Sequence, residues 1–244
     1  MLVDGEQSNP SLTMLKKIHL REIENAQCSR KYIIFPHWVR ENVYEETEDQ
    51  GQSVISVRWV ITPKLVDGSW IVKARLVARG FEEDSTQFRT DSPTCMRESL
   101  RLTLCLAASK GWTINSIDYK VAFLQGKAIE REVFLHPPKE AKIDGKLWRL
   151  KKVVYGLSDA SRVWYLRVVE ELRRLGAVVS KLDKSLFTWK LNGDIHGLII
   201  IHVNDFLRTG SSSFDSKVIQ PLKTVFKISK ECNSSFKYAS INIE

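Results

Sequence analysis

The sequence predicts an α+β fold, and three observations carry the prediction. Two pairs of Val-, Ile- and aromatic-rich runs flank Asp67-Gly68 and Asn192-Gly193, the residue pairs that tight antiparallel hairpins prefer. Two stretches of helical periodicity stop at Gly111 and Gly176, where a glycine can close a helix in the left-handed conformation. The order of strands, helix, strand, helix and antiparallel meander then argues α+β.

The elements follow in chain order. Residues 1 to about 30 are a polar lead-in with weak helical periodicity at Leu12, Leu15, Ile18 and Ile23. Glu41, Glu45, Glu46, Glu48 and Asp49 read as a solvated acidic surface. Ser53 to Lys64 and Ser69 to Arg79 form the first hairpin, which carries Arg58, Lys64, Lys73, Arg75 and Arg79. It is either a solvated basic face or a clamp for phosphates. Glu98 to Lys110 reads as a helix with Leu100 and Leu104 on its buried face. A strand from Trp112 to Ile117 delivers Asp118, and residues 146 to 155 look like another strand.

Asp159 to Leu175 has the strongest helical pattern, with Ser158 or Asp159 as cap. Its register is set by Val163, Leu166, Val169 or Glu170, and Leu172, and Glu170 and Arg174 form an i,i+4 pair. Runs at Ser185 to Lys190, Ile195 to Val203 and Phe206 to Thr209 make a three-stranded meander that turns at Asn192-Gly193 and at Asn204-Asp205. A last helix spans Asp215 to Phe226, kinked or split by Pro221.

Composition narrows the function classes. With 244 residues, 43% hydrophobic and 27% charged, the chain can bury a core in one large domain or two small ones, which excludes disorder as the default. A net charge of +8 favours a polyanionic partner such as nucleic acid. Cys28, Cys95, Cys105 and Cys232 lack C-x-x-C spacing, so neither a zinc site nor a disulfide framework is indicated. No signal-like leader or bilayer-length apolar run is present, and the expectation is a soluble intracellular protein, cytoplasmic or nuclear.

Two carboxylates stand where chemistry could occur. Asp118 ends a strand and is either a metal ligand or a helix cap. Asp205 lies about ninety residues later beside a tight turn, where Asn204-Asp205 is also ordinary hairpin chemistry. Two-metal phosphoryl transfer needs carboxylates from separate elements held close enough to share ions, and this spacing permits it.

Six segments occur in the order and spacing of one family. They are Lys73-Ala74-Arg75-Leu76-Val77-Ala78-Arg79-Gly80-Phe81, Ser92-Pro93-Thr94, Ser116 to Gly126, Val154-Tyr155-Gly156-Leu157, Ala160-Ser161-Arg162-Val163-Trp164-Tyr165, and His202-Val203-Asn204-Asp205. From Lys31 to Glu244 the chain resembles Copia-type LTR-retrotransposon reverse transcriptases. The resemblance implies a right-hand polymerase palm, an antiparallel sheet backed by helices, with a fingers β-hairpin. Residues 31–244 would be fingers and palm, ending before a thumb or ribonuclease H.

The implied activity is RNA-directed DNA polymerisation with two Mg²⁺ ions, or Mn²⁺. Its partners would be an RNA or DNA template with primer, deoxynucleoside triphosphates, and other parts of a Pol polyprotein. Asp118 matches the first metal-binding aspartate and Asp205 the second of the paired aspartates. Phe123 matches the aromatic gate against a ribose 2′ hydroxyl, although it can equally be a core aromatic. Lys73 and Arg75 match triphosphate contacts, and Arg79 a nucleic-acid contact. Tyr155, Gly156, Asp159 and Arg162 match the segment beneath the templating pair, and Lys223 or Lys227 the basic residue near the leaving pyrophosphate.

Several positions depart from the family pattern. Asn204 replaces the first of the paired aspartates, the one expected to bind metal directly. Asp159 and Ser161 stand where relatives often carry Gln and Pro, Arg208 where they place an apolar or aromatic residue, and Ala239-Ser240 where the primer-gripping segment has glycine. These substitutions predict an impaired polymerase, with a non-catalytic nucleic-acid-binding remnant or a decayed element product as the alternative.

Overall fold

The computed structural model describes residues 36–66, 69–141, 143, 145–239 and 241–243. The lead-in periodicity, Cys28, the Asp67-Gly68 pair and Ser240 lie outside the described residues. In chain order the strands are β1 (Tyr44–Glu48), β2 (Val54–Ile55), β3 (Val57–Val66), β4 (Ser69–Ala78), β5 (Ile114–Tyr119), β6 (Phe134–Leu135), β7 (Lys146–Leu150), β8 (Ala177–Val179), β9 (Leu186–Leu191), β10 (Asp194–His202), β11 (Asp205–Gly210), β12 (Ile228–Cys232), β13 (Phe236–Tyr238) and β14 (Ile241–Ile243). The α-helices are α1 (Pro36–Arg40), α2 (Arg97–Lys110), α3 (Ala160–Arg174), α4 (Ser212–Phe214) and α5 (Gln220–Val225). Among the described residues no helix is long and apolar enough to cross a membrane. The chain divides into two compact units, residues 1–84 with 128–158, and residues 85–127 with 159–244.

In the first unit β3 and β4 pair antiparallel from Val57↔Ala78 to Val66↔Ser69, which is the basic hairpin the sequence predicts. A separate sheet runs β1-β7-β6-β2. Its core is aromatic: Trp38, Tyr44 and Trp148 are buried, and the Tyr44 and Trp148 rings stack at 4.2 Å. The acidic cluster is more than a solvated face, because β1 lies antiparallel to β7 and Glu45 meets both Arg149 and Lys151 at 3.3 Å. The predicted strand at residues 146 to 155 stops at Leu150, and the chain then crosses to the end of the hairpin. There Ala78 N–H donates to the Tyr155 carbonyl at 2.8 Å and Gly80 N–H to the Gly156 carbonyl at 3.1 Å. The approach needs glycine twice: a Cβ on Gly156, whose φ is 95°, would lie 2.0 Å from the Ala78 oxygen, and one on Gly80 would lie 2.2 Å from the Gly156 oxygen.

The second unit is built on a sheet of order β12-β5-β11-β10-β9-β8, antiparallel throughout. The apolar run at residues 198–201 does not alternate with polar residues because both faces of β10 are covered. Ile199 and Ile201 join Phe206, Trp164, Val168, Leu172, Phe214 and Leu222 in one cluster, so α3 to α5 pack on that side. Leu198 and Ile200 join Leu207, Leu100, Tyr238 and Ile243 in a second cluster, under α2. Asn192 and Gly193 close the β9–β10 hairpin, both with positive φ (52° and 92°), and Gly111 (64°) and Gly176 (84°) end their helices in the left-handed conformation as expected.

Other local expectations need correction. The strand before Asp118 extends to Tyr119 and includes it. On α3 the buried stripe is Trp164, Tyr165, Val168, Val169 and Leu172, whereas Leu166 is exposed, so the predicted face was turned by about one residue. Asp159 stands at the N-cap of α3, but its side chain makes no cap hydrogen bond. Glu170 pairs with Lys127 (3.1 Å) and Arg167, and Arg174 pairs with Glu171 at 2.7 Å instead. The last helix is broken upstream of Pro221: α4 passes through a π turn, Asp215–Ile219, into α5, which begins with Pro at its first turn. A wider turn there accommodates the missing proline N–H.

Candidate active site

The site is assembled by the hairpin that joins β10 and β11. His202 pairs with Asp205, leaving Val203 and Asn204 as the two turn residues. Val203 has a φ of 57°, a conformation that costs a β-branched residue roughly 1–2 kcal/mol. The turn is held from outside: the Trp164 indole N–H donates to the Val203 carbonyl at 2.9 Å, and Tyr119 N–H to the Asn204 carbonyl at 3.2 Å. Trp164, on α3, is fully buried, so the turn is tied to the core of the unit.

This hairpin sets Asp205 directly opposite Asp118 in the antiparallel β5–β11 pairing. Directly opposed residues project to the same face of a sheet. Both aspartates are half-buried, as is Asn204. Asn204 Nδ2 donates to Asp118 Oδ1 at 2.6 Å. Burial pushes the Asp205 carboxyl above the usual aspartate range, the Asp118 charge pushes it further, and His202 opposes both. Two carboxylates so placed favour a shared cation. Asn204 turns its N–H end, rather than its oxygen, toward Asp118, and among the described residues no group of three or more His, Cys, Asp or Glu side chains could hold a metal ion. The acidic side chains that the β5–β11 pairing brings together here are Asp118 and Asp205, with the neutral Asn204 amide beside them.

The remaining predicted residues are distributed over both units. In the second unit, Phe123 lies in the 3₁₀ turn Ala122–Gln125 that follows β5 and packs, half-buried, on the cluster containing Trp164 and Phe206. That turn is pinned by Gln125, whose Nε2 donates to the Lys120 and Lys227 carbonyls and whose Oε1 accepts from Lys227 N–H at 2.7 Å. Asp159 is buried. Arg162 donates to the Asp91 carbonyl and carboxylate, each at 3.1 Å. Lys73, Arg75, Arg79, Tyr155 and Gly156 belong to the first unit, where Arg75 is half-buried on β4 opposite Val60 and Arg79 is exposed.

Sequence reasoning missed the partners of Arg208. This residue is buried on β11 and bridges Asp215 (2.8 Å) and Glu231 (2.7 Å), and Glu231 also takes Lys223 at 2.6 Å. The charge that looked like a departure is thus compensated by the π turn and β12. Lys223, one of the two candidates for the basic residue near pyrophosphate, is thus paired with Glu231. Burial alone would raise the Glu231 carboxyl, but Arg208 and Lys223 more than reverse this and hold it below the usual glutamate range. The only sequence signal was an arginine inside an apolar strand, which demands a carboxylate somewhere.

Comparison with known proteins identifies the family to which the chain belongs. A family model described as reverse transcriptase (RNA-dependent DNA polymerase) matches residues 42–244. The chain is 34% identical over 167 residues to the retrovirus-related Pol polyprotein from transposon RE2 of Arabidopsis thaliana, covering 66% of this chain and 11% of that protein. It is 26% identical over 250 residues to the corresponding polyprotein from transposon TNT 1-94 of Nicotiana tabacum, covering 93% of this chain and 18% of that one. It therefore spans less than a fifth of the length of either. Among solved structures, prototype foamy virus protease-reverse transcriptase superposes with a TM-score of 0.50 at 14% identity, over 91% of this chain and 26% of that one, a likeness of fold. The chain belongs to the reverse transcriptase (RNA-dependent DNA polymerase) family, in its Copia-type LTR-retrotransposon branch.

Proposed function

We infer that this chain is the fingers and palm portion of a Copia-type Pol polyprotein, that its reaction is template-directed addition of deoxynucleotides to a primer, and that the reaction is strongly slowed by Asn204. The observation that carries this reading is the cross-strand pair Asp118–Asp205 at a turn whose first family aspartate is Asn204. Asp118 and Asp205 would hold Mg²⁺ or Mn²⁺, which when bound stabilises charge on the attacking and leaving oxygens of the phosphoryl group. Asn204 adds no negative charge to that field. If this weakens transition-state stabilisation by about 4 kcal/mol, the rate falls roughly a thousandfold.

The chain's own groups have separable roles in this reading. The β3–β4 hairpin, with Lys73 and Arg75, would draw in the triphosphate, and Arg79 with the Tyr155-Gly156 segment would meet template and primer. Phe123 would bound the sugar site, and Asp159 and Arg162 the templating pair. The net charge of +8 supports a polyanionic partner. A second reading, nucleic-acid binding without catalysis, is favoured by the Asn204–Asp118 hydrogen bond, which already occupies one carboxylate oxygen.

Primer extension on an RNA template, with Mg²⁺ and then Mn²⁺, tests the reading against Asn204→Asp and Asp118→Ala. Extension is expected to be faint for the chain as it stands, clear for Asn204→Asp, and absent for Asp118→Ala. Salt-dependent primer–template binding with no extension by any variant would favour the second reading.

A further inference from the structure

The carboxylate pair suggests how this chain copes with the charge it retains, and the inference rests on reading that pair as a cation site. Two half-buried aspartates directly opposed on neighbouring strands repel one another, and such pairs are ordinarily relieved by a proton or a cation. Lys230, exposed on β12, lies opposite Asp118 on its other side, and a further group, the Asn204 amide, lies at the pair itself. The Asn204 carboxamide sits with Nδ2 2.6 Å from Asp118 Oδ1. The opposite orientation would bring two acceptor oxygens together, so Asp118 Oδ1 selects the N–H end. The amide is presented by a turn already fixed through Trp164 and Tyr119, so little ordering is left for the contact to provide.

We propose that the Asn204 amide is a built-in stand-in for a cation: it holds the turn and the Asp118 carboxylate together with no divalent ion bound. An aspartate at the same position would place a third carboxylate beside the other two, and their repulsion would lower the stability of the fold until an ion bound. In the chain as it stands an entering ion competes with the amide for Asp118 and meets one fewer negative charge. Metal independence of the fold and weak metal binding are thus two results of one hydrogen bond.

Thermal unfolding and Mn²⁺ binding followed by electron paramagnetic resonance test this without reference to polymerase activity. The probes are EDTA and millimolar Mn²⁺, on the full chain, on Asn204→Asp and on Asn204→Ala. The chain as it stands should melt at the same temperature in both media. Asn204→Asp should melt lower in EDTA and regain about 5–10 °C in Mn²⁺ at a hundredfold excess over its Kd. Asn204→Ala, which loses the N–H without adding charge, should melt lower than the chain as it stands in EDTA. Mn²⁺ should bind Asn204→Asp at least tenfold more tightly than the unaltered chain.

Equal Mn²⁺ affinity and equal Mn²⁺ stabilisation of the unaltered chain and Asn204→Asp would overturn the proposal while leaving the cation site intact. So would an Asn204→Asp protein as stable in EDTA as the original. If Mn²⁺ binds none of the three, the carboxylate pair is not a cation site, and the reading beneath the proposal fails with it.

Discussion

Replacing Arg208 with leucine deletes the centre of a charge network that crosses four elements, β11, the π turn, α5 and β12. The arginine side chain is 11% exposed, and the carboxylates it serves are 38% (Asp215) and 30% (Glu231) exposed. Removing one partner from a fully buried ion pair costs about 3–5 kcal/mol. Here the loss is smaller, because water reaches both carboxylates and each keeps a second partner: Lys223 at 2.6 Å for Glu231 and Gln220 at 2.9 Å for Asp215. About 2 kcal/mol is expected, which lowers the melting midpoint of a unit this size by about 4–8 °C. Urea unfolding of Arg208→Leu, Glu231→Gln and the double variant gives the coupling directly, expected at about 1–2 kcal/mol. Additive single effects, or a more stable Arg208→Leu protein, would refute the reasoning and make the network incidental.

Other perturbations have equally definite outcomes. Burial alone would raise the carboxyls of Glu231 and Glu171, but their arginine and lysine partners hold both below the usual glutamate range. Their contribution is therefore full above the unfolded value of about 4.3 and lost as pH falls through the lower folded values. The urea midpoint should be flat near neutral pH and fall below about pH 4.3, less steeply in Glu231→Gln. Gly156→Ala should cost more than 2 kcal/mol, and clearly more than Gly193→Ala, because both need positive φ (95° and 92°) but only Gly156 abuts backbone, at 2.0 Å. Paired melting curves would check it. Asp183→Ala should cost about 1–3 kcal/mol and speed hydrogen exchange at Met96 and Ser185, whose amides donate to that buried carboxylate at 3.1 and 2.8 Å.

What was legible in the sequence was local chemistry. Asn192-Gly193, Gly111 and Gly176 announce their turns and caps because their residue types satisfy a backbone demand within a few positions. The strand ending near Asp118 and the turn within residues 202–205 were legible for the same reason, each being a short segment with a local backbone signature. The invisible features are those in which distant segments meet. Asp183 serves the start of α2 from 87 residues away, and Arg208 finds Glu231 across 23. Gly197 and Gly210 look like weak points in strands, yet a Cβ on either would strike the Phe214 ring, at 2.1 and 2.4 Å. The slip in the α3 register has a related cause. Glu171 is buried between Arg167 and Arg174, so a charged residue occupies an inward position and misleads a reading by polarity.

Asn204 joins both kinds of information. Its identity is visible in the sequence, while its hydrogen bond to Asp118, 86 residues distant, requires the sheet. The measurement that tests the account most directly is the single-turnover rate of incorporating one deoxynucleotide onto a primer annealed to RNA, for the chain as it stands and for Asn204→Asp. The account predicts that aspartate raises the rate by roughly a thousandfold. Equal rates, with the activity of the unaltered chain abolished by Asp118→Ala, would contradict it.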